Sequence, residues 1–125
     1  MLILTSEEII ELHESIITLS GGAYGIRDRG LLESAIFGCQ QTFGGEELYP
    51  TVIEKSARLA YAICKNHPLI DGNKRTAVIS MLLTLDINEI FPTYIEEEIF
   101  KLGLDIANDK VNCEGIVSWI KSHVH

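Results

Sequence analysis

The chain has 125 residues, 46% hydrophobic and 22% charged, which suits a single globular domain over residues 1–125 with a core of its own. Ten Lys and Arg stand against 18 Asp and Glu, a formal net charge of −8, and the cations do not cluster, which argues against general nucleic-acid binding. No apolar run is long enough to span a bilayer, and residues 1–8 lack the basic and apolar regions of a secretory signal, so a cytoplasmic protein with no membrane partner is expected.

The pattern predicts an all-α fold of about six helices. Thr5 and Glu8 stand at capping-box spacing, and Ile9, Ile10, Leu12, Ile16 and Ile17 follow at helical intervals until Ser20-Gly21-Gly22 ends the first helix. Asp28 can cap a second helix with Leu31, Leu32, Ala35, Ile36 and Cys39 on one face. The segment from Phe43 through Gly44-Gly45-Glu46-Glu47-Leu48-Tyr49 to Pro50 is not helical and reads as a loop or short extended flap. Pro50 suits the first turn of a third helix, which carries Ile53, Ala57, Leu59, Ala60 and Ile63 and stops at Asn66-His67-Pro68. A fourth helix begins near Asn73 or Lys74 and is apolar nearly all round through Ile79, Leu82, Leu83 and Leu85, so it is expected at the centre, with Asn88 as its terminator. Residues 96–106 and 112–122 form a fifth and a sixth helix, the last capped by Asn112. Cys39, Cys64 and Cys113 form no CxxC and read as reduced, mostly buried thiols.

The chemistry is concentrated between the third and fourth helices, in His67-Pro68-Leu69-Ile70-Asp71-Gly72-Asn73-Lys74-Arg75. Neutral imidazole is the usual general base for a hydroxyl, and His67 closes a helix, where its ring can face a cleft. Asp71 offers a hard oxygen, and Mg²⁺ needs only one or two carboxylates when phosphate and water supply the rest. Gly72 lets the backbone turn closely. Asn73 and the free N–H groups that open the fourth helix can form an anion site, with Lys74 as a point charge and Arg75 as a bidentate phosphate ligand. Singly, each residue has a plainer role: a helix cap, a turn glycine or a surface cation. A turn does not require His, Asp, Asn, Lys and Arg in that order before an apolar helix, and a metal-bound nucleotide phosphate does use them.

This loop, extended through Thr76-Ala77, resembles the signature of the Fic/Doc superfamily, and the resemblance is closest to its death-on-curing (Doc) branch of toxins. Residues 26–35 and 43–50 are also similar to that branch, so the likeness covers nearly the whole chain. The resemblance implies a compact Fido-type helical bundle. It implies that His67 is the base acting on a protein hydroxyl and that Asp71 holds Mg²⁺ against ATP. Gly72, Asn73, Lys74 and Arg75 would bind the phosphates, and Gly44, Gly45, Glu46, Leu48 and Tyr49 would belong to a flap that pairs with the target backbone. It further implies an antitoxin partner and a target of the elongation factor Tu type, with arrest of translation.

Two departures bear on the reaction. Leu69 stands where the family usually has Phe, at an inward-packing position. Members that transfer AMP resemble each other in having Gly where this chain has Lys74, and a second Arg where it has Val78. Lys74 and Val78 therefore favour transfer of the γ-phosphoryl group, with AMP transfer as the alternative within the family and a non-enzymatic binding module as the alternative outside it. Some relatives carry an inhibitory helix with Ser or Thr, Glu four positions later, and then Gly or Asn. Thr42 to Glu46 and Thr93 to Glu97 have the spacing, but Glu follows in both, so inhibition is expected from a separate chain.

Elsewhere, His13 reads as a hydrogen-bonded, partly buried histidine. His123 and His125 read as solvated, as do the acidic runs Glu46-Glu47 and Glu96-Glu97-Glu98, with one flap contact open among them. Tyr49 is either a flap anchor or a packing residue, and Trp119 packs the last helix. Arg58, in an apolar helix, implies an ion pair or a role behind the cleft.

Overall fold

A computed structural model describes residues 1–125. Six helices, α1 (Ser6–Ser20), α2 (Arg29–Gly38), α3 (Val52–Asn66), α4 (Asn73–Ile87), α5 (Glu96–Ala107) and α6 (Cys113–His123), accompany a hairpin of two short strands, β1 (Thr42–Phe43) and β2 (Glu46–Glu47). No helix is long and apolar enough to cross a membrane.

The helix starts follow the capping chemistry. Thr5 accepts from the Glu8 N–H while the Glu8 carboxylate accepts from the Thr5 N–H, a complete capping box on α1. Asp28 caps α2 through the Leu31 N–H, and Asn112 caps α6 through the Gly115 N–H. On α3 the cap is Thr51, which accepts from the Glu54 N–H. Pro50 therefore lies outside the helix, one residue ahead of the cap and not in its first turn: a hydroxyl that satisfies an open N–H decides the boundary. Asn88 ends α4 and also exchanges two hydrogen bonds with Leu2, N–H to Oδ1 and Nδ2 to carbonyl, each 2.8 Å. The N-terminus is thereby tied to the far end of the central helix.

α3 and α4 form an antiparallel pair at the centre, with α2 and α6 packed on α3, and α1 and α5 on α4. One core runs through them, from Ile9 of α1 and Leu32 of α2 through Leu59 and Ile63 of α3, then Met81 and Leu85 of α4, to Ile106 of α5 and Ile116 and Ile120 of α6. Burying each such side chain is worth about 1.5–3 kcal/mol. α4 buries eight of its 15 residues, Thr76, Ser80 and Thr84 among them, as its nearly all-round apolar pattern required. The three cysteines are free; Cys39 and Cys64 are buried and Cys113 is half-buried. This pairing of α3 with α4 places the connecting loop, residues 67–72, at one end of the bundle.

Candidate active site

His67 is the C-cap of α3. Its backbone is left-handed, with φ 49° and ψ 58°, and its N–H donates to the Ile63 carbonyl at 3.2 Å. Glu89 and Asp109 also take positive φ just beyond α4 and α5, so the conformation belongs to helix endings in this chain. The turn leaves the ring exposed. Pro68 and Leu69 then turn inward, and Leu69 is 1% exposed, so the smaller side chain does fill the inward position.

The segment between α1 and α2 clamps the loop. The Pro68 carbonyl accepts from the N–H groups of Arg27 and Asp28, and the Ile70 N–H donates to the Gly25 carbonyl. Arg27 lays its guanidinium across the end of α3, donating through Nε to the His67 carbonyl at 2.6 Å and through a terminal nitrogen to the Asn66 carbonyl at 2.7 Å. It thus satisfies two of the open carbonyls that a helix leaves at its C-terminus. From α1, the buried His13 donates through Nε2 to the Asp71 carbonyl at 2.8 Å. His13 is a strut for the loop, more deeply buried than the sequence implied.

The Asp71 carboxylate accepts one backbone N–H on each oxygen, from Gly72 at 2.8 Å and from Ala23 at 3.0 Å. The Ala23 and Gly72 bonds, aided by the nearby Arg75 and His13, hold its carboxyl below the usual carboxylate range. An ionised carboxylate with lone pairs to spare is what a hard cation needs. No group of three His, Cys, Asp or Glu side chains converges anywhere in the chain, so a cation here would take one protein carboxylate and draw its other ligands from phosphate and water, the pattern of Mg²⁺.

Gly72, at φ 74°, is the N-cap of α4 and gives that helix no side-chain cap. The first helical bond runs from the Thr76 N–H to the Gly72 carbonyl, leaving the N–H groups of Asn73, Lys74 and Arg75 open at the positive end of the helix. The Asn73 side chain is placed differently from the expectation of an anion-hole lining. Its amide closes on the loop, Oδ1 accepting from the Leu69 N–H at 3.0 Å and Nδ2 donating to the Leu69 carbonyl at 2.9 Å. Donors for an anion at this helix start are therefore main-chain groups, with Lys74 and Arg75 beside them.

His67, Asp71, Gly72, Asn73, Lys74 and Arg75 all line one groove of about 1640 Å³, bounded by α1, α4 and α5. Its remaining walls are largely apolar, including Leu12 and Ile16 of α1, Leu82 and Leu83 of α4, and Phe100 of α5. Gly103 lets α5 approach: a Cβ there would lie 3.3 Å from the Lys74 Cβ and 3.6 Å from Val78. Cys64, one turn before His67, is no nucleophile, since burial pushes its thiol up to about 11.

The flap residues do not line this groove. Gly44 and Gly45 make the hairpin turn with φ 60° and 85°, and Glu46 and Leu48 are exposed. Tyr49 is half-buried, its ring 5.9 Å from the Arg58 guanidinium, which also lies 5.6 Å from the ring of Tyr61. Arg58 thus has two aromatic neighbours and no ion pair. Two acidic residues read as solvated are engaged instead: Glu47 pairs with the buried Lys55, and Glu98 pairs with His123. His123 is itself stacked on Trp119 and is not solvated. Sequence reasoning missed Ala23, Arg27 and Lys55. Ala23 acts through a backbone N–H that any residue but proline supplies, and Arg27 acts on carbonyls 39 and 40 positions away.

Comparison with known proteins identifies the family of the chain. Residues 3–85 match the model of the Fic/DOC family. The chain is 38% identical over 81 residues to a protein named Toxin Doc from Mycolicibacterium smegmatis, the match spanning 62% of each chain. It is 30% identical over 118 residues to a protein named Protein kinase doc from Escherichia phage P1, covering 94% of this chain and 92% of the relative. These matches show that the chain, a helical bundle, belongs to the Fic/DOC family, on its Doc branch.

Proposed function

We propose that this chain is a Doc-type toxin that transfers the γ-phosphoryl group of ATP to a Ser or Thr hydroxyl of a protein. The observation that carries the reading is that a histidine, a carboxylate kept ionised and an open helix N-terminus with two cations line one groove. In this reading His67 accepts the proton of the acceptor hydroxyl as its oxygen bonds to the γ-phosphorus. The bond from that phosphorus to the β–γ bridging oxygen breaks, and ADP leaves. The N–H groups of Asn73, Lys74 and Arg75, with the Lys74 and Arg75 side chains, hold the phosphates. Asp71 would hold Mg²⁺, which neutralises charge on the phosphates when bound.

Val78 supports phosphoryl over AMP transfer. It is fully buried beneath α5 at Gly103, so no cation projects from the position that the AMP-transferring pattern fills with Arg. The groove's size supports a second occupant. Its 1640 Å³ exceeds the ~300–1,000 Å³ of a typical small-ligand pocket, and its apolar walls suit the apolar face of a helix from an antitoxin. The name of the phage relative, a protein kinase, points the same way. The target class is a translation factor of the elongation factor Tu type, acted on in the cytoplasm.

The test incubates purified protein with ATP, Mg²⁺ and cell extract and weighs the modified proteins by mass spectrometry, with His67→Ala and Asp71→Ala as controls. A phosphoryl mass on one translation factor, reduced at least about 10²-fold in both controls, is expected. An adenylyl mass would overturn the phosphoryl assignment. Undiminished modification by His67→Ala would remove His67 from catalysis, and no modification at all would leave a binding module.

A further inference from the structure

The flap has little in itself to hold it. β1 and β2 pair over two residues each, every residue from 40 to 48 is exposed, and an isolated two-stranded hairpin is marginal in water. Two cations on one face of α3, three positions apart, reach it. Lys55 is 3% exposed, and its ammonium donates to Glu47 Oε1 at 2.9 Å and to the Cys39 carbonyl at 3.5 Å. Arg58 follows, its guanidinium 5.9 Å from the ring of Tyr49 in the flap and 5.6 Å from that of Tyr61 in α3.

Burying an ammonium costs several kcal/mol unless it is paired, so a lysine inside α3 needs a reason, and its one charged partner is a residue of the flap. Glu47, the last residue of β2, and Tyr49, in the bend beyond it, are the two that reach α3, while Leu48 between them is exposed. The clasp therefore holds the leg at Glu47 and Tyr49 and leaves Glu46 and Leu48 exposed.

We propose that Lys55 and Arg58 are positioning residues for the acceptor: they clasp the returning leg of the flap to α3 and fix the register at which an extended target segment pairs with it. This rests on reading the flap as the acceptor-binding element. A loose flap would have to be ordered each time a target bound, so its loss weakens acceptor binding and leaves the nucleotide site alone.

The test uses the full chain with Lys55→Met, Arg58→Met and Glu47→Gln. Lys55→Met fills the same space without charge, and Glu47, half-exposed, can turn to solvent, so no buried charge is stranded. Glu47→Gln removes the partner's charge but leaves an amide oxygen for the Lys55 ammonium, and as a change on the exposed side it keeps the test valid should a core substitution fail to fold. Two quantities are read: ¹⁵N order parameters for residues 42–48, and the KM for acceptor and for nucleotide separately. In Lys55→Met the order parameters should fall from about 0.85 towards 0.6 or below, with α4 unchanged. The acceptor KM should rise about tenfold, with kcat and the nucleotide KM within about twofold. Lys55→Arg should restore both. Unchanged order in the flap overturns the proposal, as does loosening spread evenly over the chain, or a loosened flap with an unaltered acceptor KM. Wild-type protein that modifies no acceptor would sink the transferase reading and the register role with it. The order parameters would then still decide whether Lys55 holds the flap.

Discussion

At the scale of single residues, the glycines ahead of α2 give the sharpest test of how Asp71 is held. A Cβ on Gly22 would lie 2.6 Å from Asp71 Oδ2, whereas a Cβ on Gly21 would meet nothing within 4 Å. Both have positive φ, 118° and 81°, so both substitutions to alanine carry backbone strain of about 1 kcal/mol or more. Only Gly22→Ala should also displace the carboxylate and break its bond from the Ala23 N–H. Transfer activity should therefore fall at least tenfold further in Gly22→Ala than in Gly21→Ala at matched urea midpoints, a loss of about 1.4 kcal/mol or more in transition-state stabilisation. Equal losses would mean that the Ala23 bond does not matter. The loop itself was legible in the sequence because its residues are contiguous and each has a chemical signature. Its supports were not. His13 lies 58 positions before Asp71 and Ala23 48 positions before it, and each acts on or through a main-chain atom. Lys55 carried a weak signal, a charge in an apolar helix, and Arg58 gave the same signal one turn later.

Among the elements, the join between α3 and the loop depends on Arg27. Its two hydrogen bonds end α3 with a positive charge where the helix dipole is negative. Arg27→Met should cost about 1–2 kcal/mol in urea denaturation, at the lower end for charged hydrogen bonds because the residue is exposed. Arg27→Lys should recover less than half, since a point charge cannot span two carbonyls. A cost below about 0.3 kcal/mol would mean that water replaces Arg27 without penalty. The six helices were readable from apolar spacing and caps, and the boundaries fell within a residue or two. The exception was instructive: proline at position 50 and threonine at 51 both suit a helix start, and only the hydrogen bond to the Glu54 N–H chooses between them. The hairpin was readable as non-helical but not as strands, because two-residue strands have no periodicity to detect.

Over the whole molecule, the last helix is fastened by the pair of His123 and Glu98. The His123 ring presents Nδ1 to the Trp119 carbonyl at 2.6 Å and Nε2 to the Glu98 carboxylate, so both nitrogens meet acceptors, and the Thr93 N–H donates to the His123 carbonyl at 2.7 Å. The bond from Glu98 raises the His123 pKa above its ordinary 6.5, and the same bond lowers that of Glu98 below its ordinary 4.5. The histidine's contribution is thus complete below pH 6.5 and is lost as pH rises through its raised value. The glutamate's contribution is complete above 4.5 and is lost as pH falls through its lowered value. The fastening is strongest between those two pH values. Glu98→Gln should therefore lower Tm at pH 6 and flatten its decline from pH 6 to 9, as followed by circular dichroism. An unchanged slope would place the pH dependence elsewhere. The net charge of −8 was plain from composition, but this local pair was not, because His123 is 25 positions from its partner in a tail that reads as solvent-facing. The clamp on the loop between α3 and α4 has one more consequence. His13, Ala23 and Arg27 precede the exposed Gly44-Gly45 turn, while His67, Asp71 and the start of α4 follow it. Cut at that turn, the chain yields one fragment with the struts and another with the loop they hold, so neither half alone holds the finished groove. A formed groove would then report the meeting of two molecules, and the fold is in this sense a two-key lock written as one chain.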